Sequence, residues 1–482
     1  MPAITAEMLL SLLPELILAL LALFLLALSL FKKENLGGAY SWVTAFGFGL
    51  TLFLTVFYSR PPAEVQLLWG EMIRFDRVGF IFRLLILAGG AMTAIFAGME
   101  QTIAKKAEFY LLLVLSSIGF SLMVSAGNLI MLYLAIETAT IPLYVLAGFK
   151  QRDEKSVESG IKYFLFGGVS SAILLYGFTL LYGFAGTTRL DGMLELIKQN
   201  GAPIAGITLA SLLVLAGFAF KKSAAPFHFW APDVYEGSPT PVAGFLSTVS
   251  KAVGFGAFIR VLVNAFGVGS SNAWMVIVAI LAAASMFLGN LLAISQRDIK
   301  RLIAYSSIAQ AGYMLVGVAA GTEFGFSGTV YYLLVYLVTN LAVFAIISWV
   351  EKGSGSSAVS AFAGLNRRSP GMALVMMVAL LSLGGIPPFG GFFAKVLVFG
   401  AAVQSHYVWL AVLGILNSVI ALYYYLKIMK VMYLDKPDET SWKVTPALQW
   451  RVALALCIAC IILLGVIYAP WLNGISLAVT GF

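Results

Sequence analysis

Residues Gly217 to Phe255 read GFAFKKSAAPFHFWAPDVYEGSPTPVAGFLSTVSKAVGF, and the reading of this stretch decides the fold. The flanking segments are apolar enough to cross a bilayer, yet here stand Lys221, Lys222, His228 and Lys251, with Pro226, Pro232, Pro239 and Pro241 among them. An ammonium at the centre of a membrane helix costs about 2.5–3.5 kcal/mol on insertion scales. Proline inside a spanning helix frees backbone groups that only protein or trapped water can satisfy again. Broken helices carrying buried charge near mid-membrane are how ion-moving proteins build their sites. The stretch reads as part of a proton path.

Composition places the rest of the chain in the same class. Of 482 residues, 61% are hydrophobic and only 11% charged, with a mean hydropathy of +0.95. Soluble domains average about 25% charged residues, so the chain is a polytopic membrane protein. The first apolar run, 8–31, exceeds the roughly 7–15 residues of a signal-peptide core and lacks a preceding basic region, so it is expected to be a retained helix. The two cysteines, Cys457 and Cys460, share one apolar run and are expected to be small buried residues, with no disulfide framework, cluster or metal site. No GxGxxG opens a helix after a strand, so no nucleotide site is visible.

A span needs about 20 apolar residues. Fourteen fit, near 8–31, 39–58, 78–99, 108–125, 128–149, 159–184, 204–236, 240–265, 273–295, 301–320, 325–350, 371–404, 406–432 and 448–470. Spans seven and twelve are too long for one straight helix, and each has a break, at Ser223–Pro226 and at Gly384–Pro388 with Pro387. The breaks are five spans apart. Spans four to eight (108–265) and nine to thirteen (273–432) therefore read as two five-helix repeats, the second inverted because five is odd. Residues 1–125 supply the N-terminal helices and the start of the first repeat, and 448–482 a last helix and tail. The expected fold is all-α, with about fourteen transmembrane helices.

Charge gives the orientation. Loops after odd-numbered spans hold eighteen Lys and Arg, against five on the opposite side: Arg60, Arg74, Arg77, Arg189 and Lys198. The positive-inside rule puts the rich side in the cytoplasm and both termini outside, on the periplasmic face of a bacterial inner membrane. The net charge of +8 is thus a topology signal and not a nucleic-acid footprint.

Seven basic residues remain inside spans: Arg83, Lys162, Lys221, Lys222, Lys251, Arg260 and Lys395. Glu137 is the central acid, with Glu15 near the middle of span one. A lysine deep in apolar surroundings holds its proton less tightly. A carboxylate about 4 Å away returns roughly 4 kcal/mol at an effective dielectric near 20, about 3 pKa units. A moving carboxylate can thus load and unload a buried lysine. Glu137 with Lys221 is the candidate control pair, Lys251 the central carrier, and Lys395 the outward exit above Pro387-Pro388. Lys162 is a further candidate, with Glu158 at i−4 offering a surface pair instead. Thr240, Gly244, Ser247 and Lys251 share a helical face, with Ser250 beside them, and His228 is placed to bridge Lys221 and Lys251. Arg83 and Arg260 are expected to anchor helices, and Lys222 to snorkel away from the axis. The bland alternative is that each buried pair only fixes helix packing.

The run Phe220-Lys221-x-Ser223-x-x-Pro226-Phe227-His228-x-Trp230-x-Pro232-Asp233-Val234-Tyr235, followed by Ser250-Lys251, resembles the antiporter-like subunits of complex I, the proton-translocating NADH:quinone oxidoreductase. The subtype it is most similar to is the N subunit, called subunit 2 in mitochondria. Leu13-Pro14-Glu15, Lys162-Tyr163-Phe164, Lys300-Arg301-Leu302 and Gly385-Ile386-Pro387-Pro388 with Lys395 support this along the whole chain. The resemblance implies proton translocation coupled to quinone reduction on other subunits, with no cofactor on this chain: NADH, FMN, Fe–S clusters and quinone belong to partners. It also implies an M-type antiporter-like neighbour and the small K-type subunit. By motif, Glu137, Lys162, Lys221, Lys251 and Lys395 take the family's proton-path positions. Lysine at 395 favours N over M, and the chain length leaves no room for the lateral helix of the L subunit. Gln310 stands where many relatives have histidine, as a relay that orders water, and Lys222 where most have an apolar residue. The alternatives are a subunit of a multi-subunit Na⁺/H⁺ antiporter, a stand-alone transporter of a small solute, and a structural scaffold.

Overall fold

The computed structural model describes residues 5–31, 38–267, 273–436 and 448–482. Lys32, Lys33 and Lys443, three of the cations on the basic side, lie outside them. The long helices follow the apolar runs: α1 (Leu13–Phe31), α2 (Ala39–Tyr58), α3 (Arg77–Ala97), α4 (Ala107–Val124), α5 (Leu129–Ala147) and α6 (Glu154–Ala185). Span seven is split into α7 (Ile204–Lys221) and α8 (Trp230–Gly237), followed by α9 (Thr240–Phe266), α10 (Ala273–Ile294), α11 (Ile299–Ala319) and α12 (Glu323–Ser354). Span twelve is split into α13 (Pro370–Gly384) and α14 (Gly390–Gln404), followed by α15 (Val408–Tyr433), α16 (Leu448–Val466) and α17 (Tyr468–Val479). Among the described residues, twelve helices are long and apolar enough to cross a bilayer. The expected span twelve is met by α13 and α14 together, each too short for a hydrocarbon core of about 30 Å. The fourteenth is α16, and α17 turns from it by 82°, a bend not foreseen from the sequence.

Both breaks fall where proline placed them, and their hydrogen bonds match. At the first, Ser223 N–H donates to the Phe220 carbonyl and Ala224 N–H to Ala219; at the second, Gly385 donates to Ser382 and Ile386 to Leu381. Ser223 and Gly385 occupy the left-handed region at the same point, with φ of 56° and 82°. The correspondence extends through the two units. Leu129 N–H donates to Thr188 and Leu190 N–H to Gly127; in the second unit Ile299 donates to Ser357 and Val359 to Arg297. Helices α6 and α12 both run 32 residues, from a capping Asp153 or Thr322 to a left-handed Gly186 or Gly355. A Cβ on Gly119 would stand 2.3 Å from Ala139 N, and one on Gly289 2.5 Å from Ala309 N, so both units need glycine at the same helix crossing. Little of this repeat survives in the letters; it survives in which backbone groups pair.

The units bury their helices unequally. The apolar windows of α9, α11 and α12 are 100%, 94% and 89% buried, against 33% for α6. Side chains on the first three therefore see protein on all sides, while those on α6 reach the periphery. Hydropathy alone cannot make this distinction, since all four helices are comparably apolar.

Charge clamps hold one end of the bundle. A hairpin, β1 (Gln66–Leu68) and β2 (Ile73–Phe75), brings Arg74 against Asp76 at 2.8 Å. Asp76 caps α3, accepting from Gly79 N–H at 2.7 Å, and takes two bonds from Arg260 of α9 at 2.7 and 3.1 Å. Arg74 also pairs with Asp191 and reaches the Gly481 carbonyl. Deeper in, Arg83 joins Glu15 at 2.7 Å, together with Ser121 and the Ser11 carbonyl. Arg83 and Arg260 are anchors, as expected. Burial alone would raise the Asp76 carboxyl, but Arg260 and Arg74 hold it below its usual range. Its contribution to stability is then complete above the unfolded carboxyl value of about 3.9 and lost as pH falls through the lower folded value. Asp76→Asn, which strands Arg260, is expected to cost about 3–5 kcal/mol. Thermal inactivation of the assembled protein at pH 7 should show it, and the variant should lose much of the acid sensitivity seen below about pH 4.

Candidate functional site

Lys251 lies in the most enclosed helix, one residue past a π-helical turn at Leu246–Ser250. Such a turn inserts a residue into the α repeat and re-aims the side chains beyond it, which is why it recurs at functional positions. The Lys251 ammonium donates to both the hydroxyl and the carbonyl of Ser307 on α11, each at 2.6 Å. The Tyr336 hydroxyl donates to Ser307 Oγ at 2.9 Å, and Asn340 Nδ2 donates to Tyr336 at 3.0 Å and to Ser247 Oγ at 2.8 Å. Among the described residues, the hydrogen-bond acceptors of Lys251 in the first unit are thus oxygens of the second.

A second set of hydrogen bonds begins at the neighbouring Ser306 and ends one carbonyl short of Lys395. Ser306 shares a bond of 2.5 Å with the Tyr425 hydroxyl. Gln310 Nε2 donates to Tyr425 at 3.3 Å and to the Leu383 carbonyl at 3.0 Å, while its Oε1 accepts from Tyr332 at 2.5 Å. The next carbonyl, Gly384, accepts from Lys395 Nζ at 3.0 Å. These two carbonyls are free because α13 ends there; the last four of any helix lack an intrahelical donor. Gly385 has to be glycine, since a Cβ there would stand 2.9 Å from Lys395 Cδ at a φ of 82°. Lys395 also sits 4.7 Å from the centre of the Tyr313 ring. Gln310 therefore joins the Tyr425 and Tyr332 hydroxyls to the Leu383 carbonyl.

The first unit is wired differently from the expectation. Lys221 Nζ donates to the Thr140 hydroxyl at 2.5 Å and makes no ion pair with Glu137 within 4 Å. Glu137 lies one turn before Thr140 on α5 and accepts from Ser171 of α6. The candidate control pair is near but not in contact, and Thr140 intervenes. His228 does not bridge Lys221 and Lys251: its Nδ1 has no partner among the described residues, and its ring stacks on Phe229 at 4.5 Å. The Tyr235 hydroxyl is better placed, near both Ser223 and Ser307. Ser250 faces the Tyr163 hydroxyl instead.

Lys162 is not in the interior line. It pairs with Glu158 and Asp233, each at 2.6 Å, and Asp233 continues to Arg301 at 2.6 Å. Arg301 reaches Glu236 at 3.1 Å, which pairs with Lys155 at 2.7 Å. The helix starts at Glu154 and not at 159, so Lys162 lies farther from its end than expected, yet its side chain keeps 35% exposure on one of the two least enclosed spans. Lys222 does not snorkel. It is buried over the Phe258 ring, with Phe255 and Phe218 at 5.3 and 5.6 Å, and its ammonium has no hydrogen bond among the described residues. Cys457 is buried and Cys460 exposed, both free thiols. No group of three or more His, Cys, Asp or Glu suited to a metal occurs among the described residues.

Sequence reasoning missed Thr140, Ser307, Tyr336, Asn340, Tyr332 and Tyr425. A Tyr or Asn in an apolar run carries little signal. The usable clue is spacing: Tyr332, Tyr336 and Asn340 recur every four residues on one face of α12.

Two broken-helix units joined by buried lysines without carboxylate partners make this an antiporter-like polytopic membrane protein. Residues 126–421 match the family model described as NADH:quinone oxidoreductase/Mrp antiporter, TM, and the chain belongs to that family. It is 41% identical over 473 residues to the NADH-quinone oxidoreductase subunit N of Moorella thermoacetica, covering 97% of this chain and 98% of the relative. The Rhodospirillum rubrum protein of the same name is 40% identical, covering 89% and 88%. Among solved structures, a chain of respiratory complex I from Thermus thermophilus superposes with a TM-score of 0.81 at 32% identity, covering 96% of this chain and all of that one. A chain of the Mrp complex from Dietzia superposes at 0.86 with 20% identity over 99% and 98%, a likeness of fold.

Gln310→Leu leaves the Tyr332 hydroxyl and Leu383 carbonyl unmet at a cost of about 1–3 kcal/mol. The assembled protein should lose several-fold in ion-coupled turnover, whereas Gln310→His, which can still donate and accept, should retain most of it.

Proposed function

We propose that this chain is the antiporter-like N-type membrane subunit of a proton-translocating NADH:quinone oxidoreductase. It carries protons across the bilayer while partner subunits perform the redox chemistry. The observation that carries this reading is the row of buried polar groups from Lys251 on Ser307, past the adjacent Ser306 with Tyr425 and Gln310, to the neighbouring Leu383 and Gly384 carbonyls, the second of which holds Lys395. Every member is a hydroxyl, an amide, an amine or a free carbonyl, so it can pass, order or accept a proton without a metal or a prosthetic group on the chain. The similarity to subunit N proteins over nearly the full length supports the assignment.

In mechanism, Lys251 exchanges a proton at Nζ across Ser307, whose hydroxyl rotates between Tyr336 and the amine. Gln310 can hold water against the Tyr332 and Tyr425 hydroxyls and hand the proton towards Lys395. Lys221 acts one step earlier, its access to Lys251 running past Ser223 and Tyr235. Glu137, one turn from Thr140, biases Lys221 through space, and a shift of α5 relative to α7 changes that bias. NADH, FMN, Fe–S clusters and quinone reside on partners, with the M-type and K-type subunits as membrane neighbours. The lysine-rich loops face the cytoplasm and the termini the periplasm, in a bacterial inner membrane.

The test compares wild type with Lys251→Ala in inverted membrane vesicles, after confirming assembly. NADH-driven quinone reduction and vesicle acidification should fall together, by tenfold or more. Unchanged rates in the assembled variant would show that Lys251 serves packing. Wild-type vesicles that exchange sodium for protons without NADH-linked acidification would replace this reading with the Na⁺/H⁺ antiporter.

A further inference from the structure

Helices α10, α11 and α15 enclose a polar cluster that the row from Lys251 to Lys395 does not use. At its centre is Asn290 of α10, fully buried, as are Tyr313 of α11 and Asn417 and Tyr424 of α15. Asn290 Nδ2 donates to the Tyr313 hydroxyl at 3.0 Å, and to both the carbonyl and the Oδ1 of Asn417 at 3.1 Å. Its Oδ1 accepts from the Tyr424 hydroxyl at 3.0 Å. Donor and acceptor sides of the amide are both committed, and a buried amide bonded in this way is fixed in place. Leucine would fill the same space without the cost of burying an amide.

What the cluster fixes is the ring of Tyr313. Held at its hydroxyl by Asn290, this ring meets α14 over two successive turns. The Lys395 ammonium lies over it, 4.7 Å from its centre, and Phe399, one turn further, meets it edge to face at 6.0 Å and 76°. An ammonium within about 6 Å of an aromatic ring centre is attracted to the electron-rich face. The other partner of Lys395 is the Gly384 carbonyl at 3.0 Å. Around α14 pack α11, α12, α13, α15 and α16, and their only carboxylates, Glu323 and Glu351, stand at the two ends of α12. Their lysines and arginines likewise stand within about two turns of a helix end, which leaves phenols and the thiols of Cys457 and Cys460 between. One carbonyl and one ring hold the ammonium, with no counter-ion among the described residues.

The first unit has neither member of this arrangement. Counted from the matching glycines, Gly119 and Gly289, the place of Asn290 is taken by Phe120, which packs on Phe245 at 5.9 Å. Counted from the matching breaks, Ser223 and Gly385, the place of Lys395 is taken by Asp233, which lies in the ionic chain with Lys162 and Arg301. The amide is present in the unit that has the lysine and absent from the unit that does not.

We infer that Tyr313 is the second holder of the Lys395 ammonium, and that Asn290 is the positioning residue that aims its ring. The inference rests on the proton-translocating reading above. The ring face attracts the amine while it carries a proton and has little hold on it once the proton has left. It therefore favours the charged form without a carboxylate that would be stranded when the charge goes. Asn290 gives this weak contact a fixed geometry. Through Tyr424 the same amide also reaches the chain neighbour of Tyr425, which bonds Ser306 and Gln310.

The experiment measures NADH-driven acidification and quinone reduction from pH 6 to 8.5, in inverted vesicles carrying the assembled complex. Tyr313→Leu removes the ring face. Both rates should stay within about twofold of wild type at pH 6 and fall about fivefold or more at pH 8.5, where keeping a proton on Lys395 is hardest. Tyr313→Phe keeps the face and loses the bond to Asn290, and Asn290→Leu breaks the same bond from the other side. Each should lose roughly two- to threefold at pH 8.5, and the double variant no more than Asn290→Leu alone, since both changes cut one contact. Wild-type rates in Tyr313→Leu, or an equal fractional loss at every pH, show that the ring only packs and overturn the inference. Losses that multiply in the double variant overturn the positioning role of Asn290. If Asn290→Leu does not assemble, Tyr313→Phe alone tests the bond, and a wild-type profile there overturns that role. Wild-type rates in Lys395→Met overturn the inference at the lysine and not at the ring. If wild type itself shows no NADH-linked acidification, the proton-translocating reading falls, and the inference with it.

Discussion

Four interior lysines of this protein have no carboxylate partner among the described residues, Lys222 resting on aromatic rings and the other three on oxygen, and much of the surrounding structure answers that fact. Lys221, Lys251 and Lys395 each end on uncharged oxygen: a threonine hydroxyl, a serine hydroxyl with its carbonyl, and a carbonyl at a helix end. Burying a cation without a partner costs more than a single hydrogen bond returns. Regular helices offer few spare acceptors, because each carbonyl is committed to the next turn. The chain supplies them by breaking its helices. The break at Gly384 leaves free carbonyls for Gln310 and Lys395, and the π turn before Lys251 re-aims that side chain at Ser307. The irregularities and the lysines therefore belong together: each would be a defect without the other.

The two units show what the constraint leaves open. In the first, the helix that breaks carries Lys221, and the facing helix offers Thr140. In the second, the helix that breaks offers the Leu383 carbonyl, and the facing helix carries Gln310. Donor and acceptor have changed sides across the same gap. The backbone pairings that hold each unit are the same, so the scaffold is common while the polar contents are free to differ. An amine lies at the first gap and a neutral amide at the second, so the two gaps differ in charge.

Much of the architecture was legible because its causes are local. Apolar length gave the spans, proline gave both breaks within a few residues, and the count of spans between them gave the two units. The final bend between α16 and α17 was not foreseen, although Pro470 stands at that point in the sequence and disfavours a straight continuation. Among site residues, Lys251, Lys395 and Gln310 stood out because charge or amide in an apolar run is costly and must be explained. Tyr336, Tyr425 and Ser307 did not, because tyrosine and serine are cheap to bury when bonded. Lys162 shows the opposite case. Its helix begins earlier than expected, and its side chain takes the surface pairing with Glu158 that the sequence offered beside the proton path, because that face of α6 is not covered. The failure of the expected contact between Glu137 and Lys221 has the same origin: depth can be counted along a sequence, whereas the lateral offset between two helices cannot.

Sorting the charges by depth explains how one chain can be both rigid and responsive. Near the ends of the spans they are paired or multiply paired, as in Asp76 with Arg74 and Arg260, or Lys162 with Asp233 and Arg301. The second of these chains ties α8 of the first unit to α11 of the second, beside the break just after Lys221. Paired charges resist a change of protonation, because losing one proton strands its partner. Lysines in the middle without a carboxylate partner have no such penalty, and a carboxylate moving a few ångströms shifts their balance by several kcal/mol at low effective dielectric. The ionic chains at the ends can then transmit a displacement of one helix to the other without titrating, while a change of protonation on an interior lysine would break no ion pair. A protein that must change its proton content without losing its shape needs this separation, and here it is built into where the carboxylates are and where they are missing.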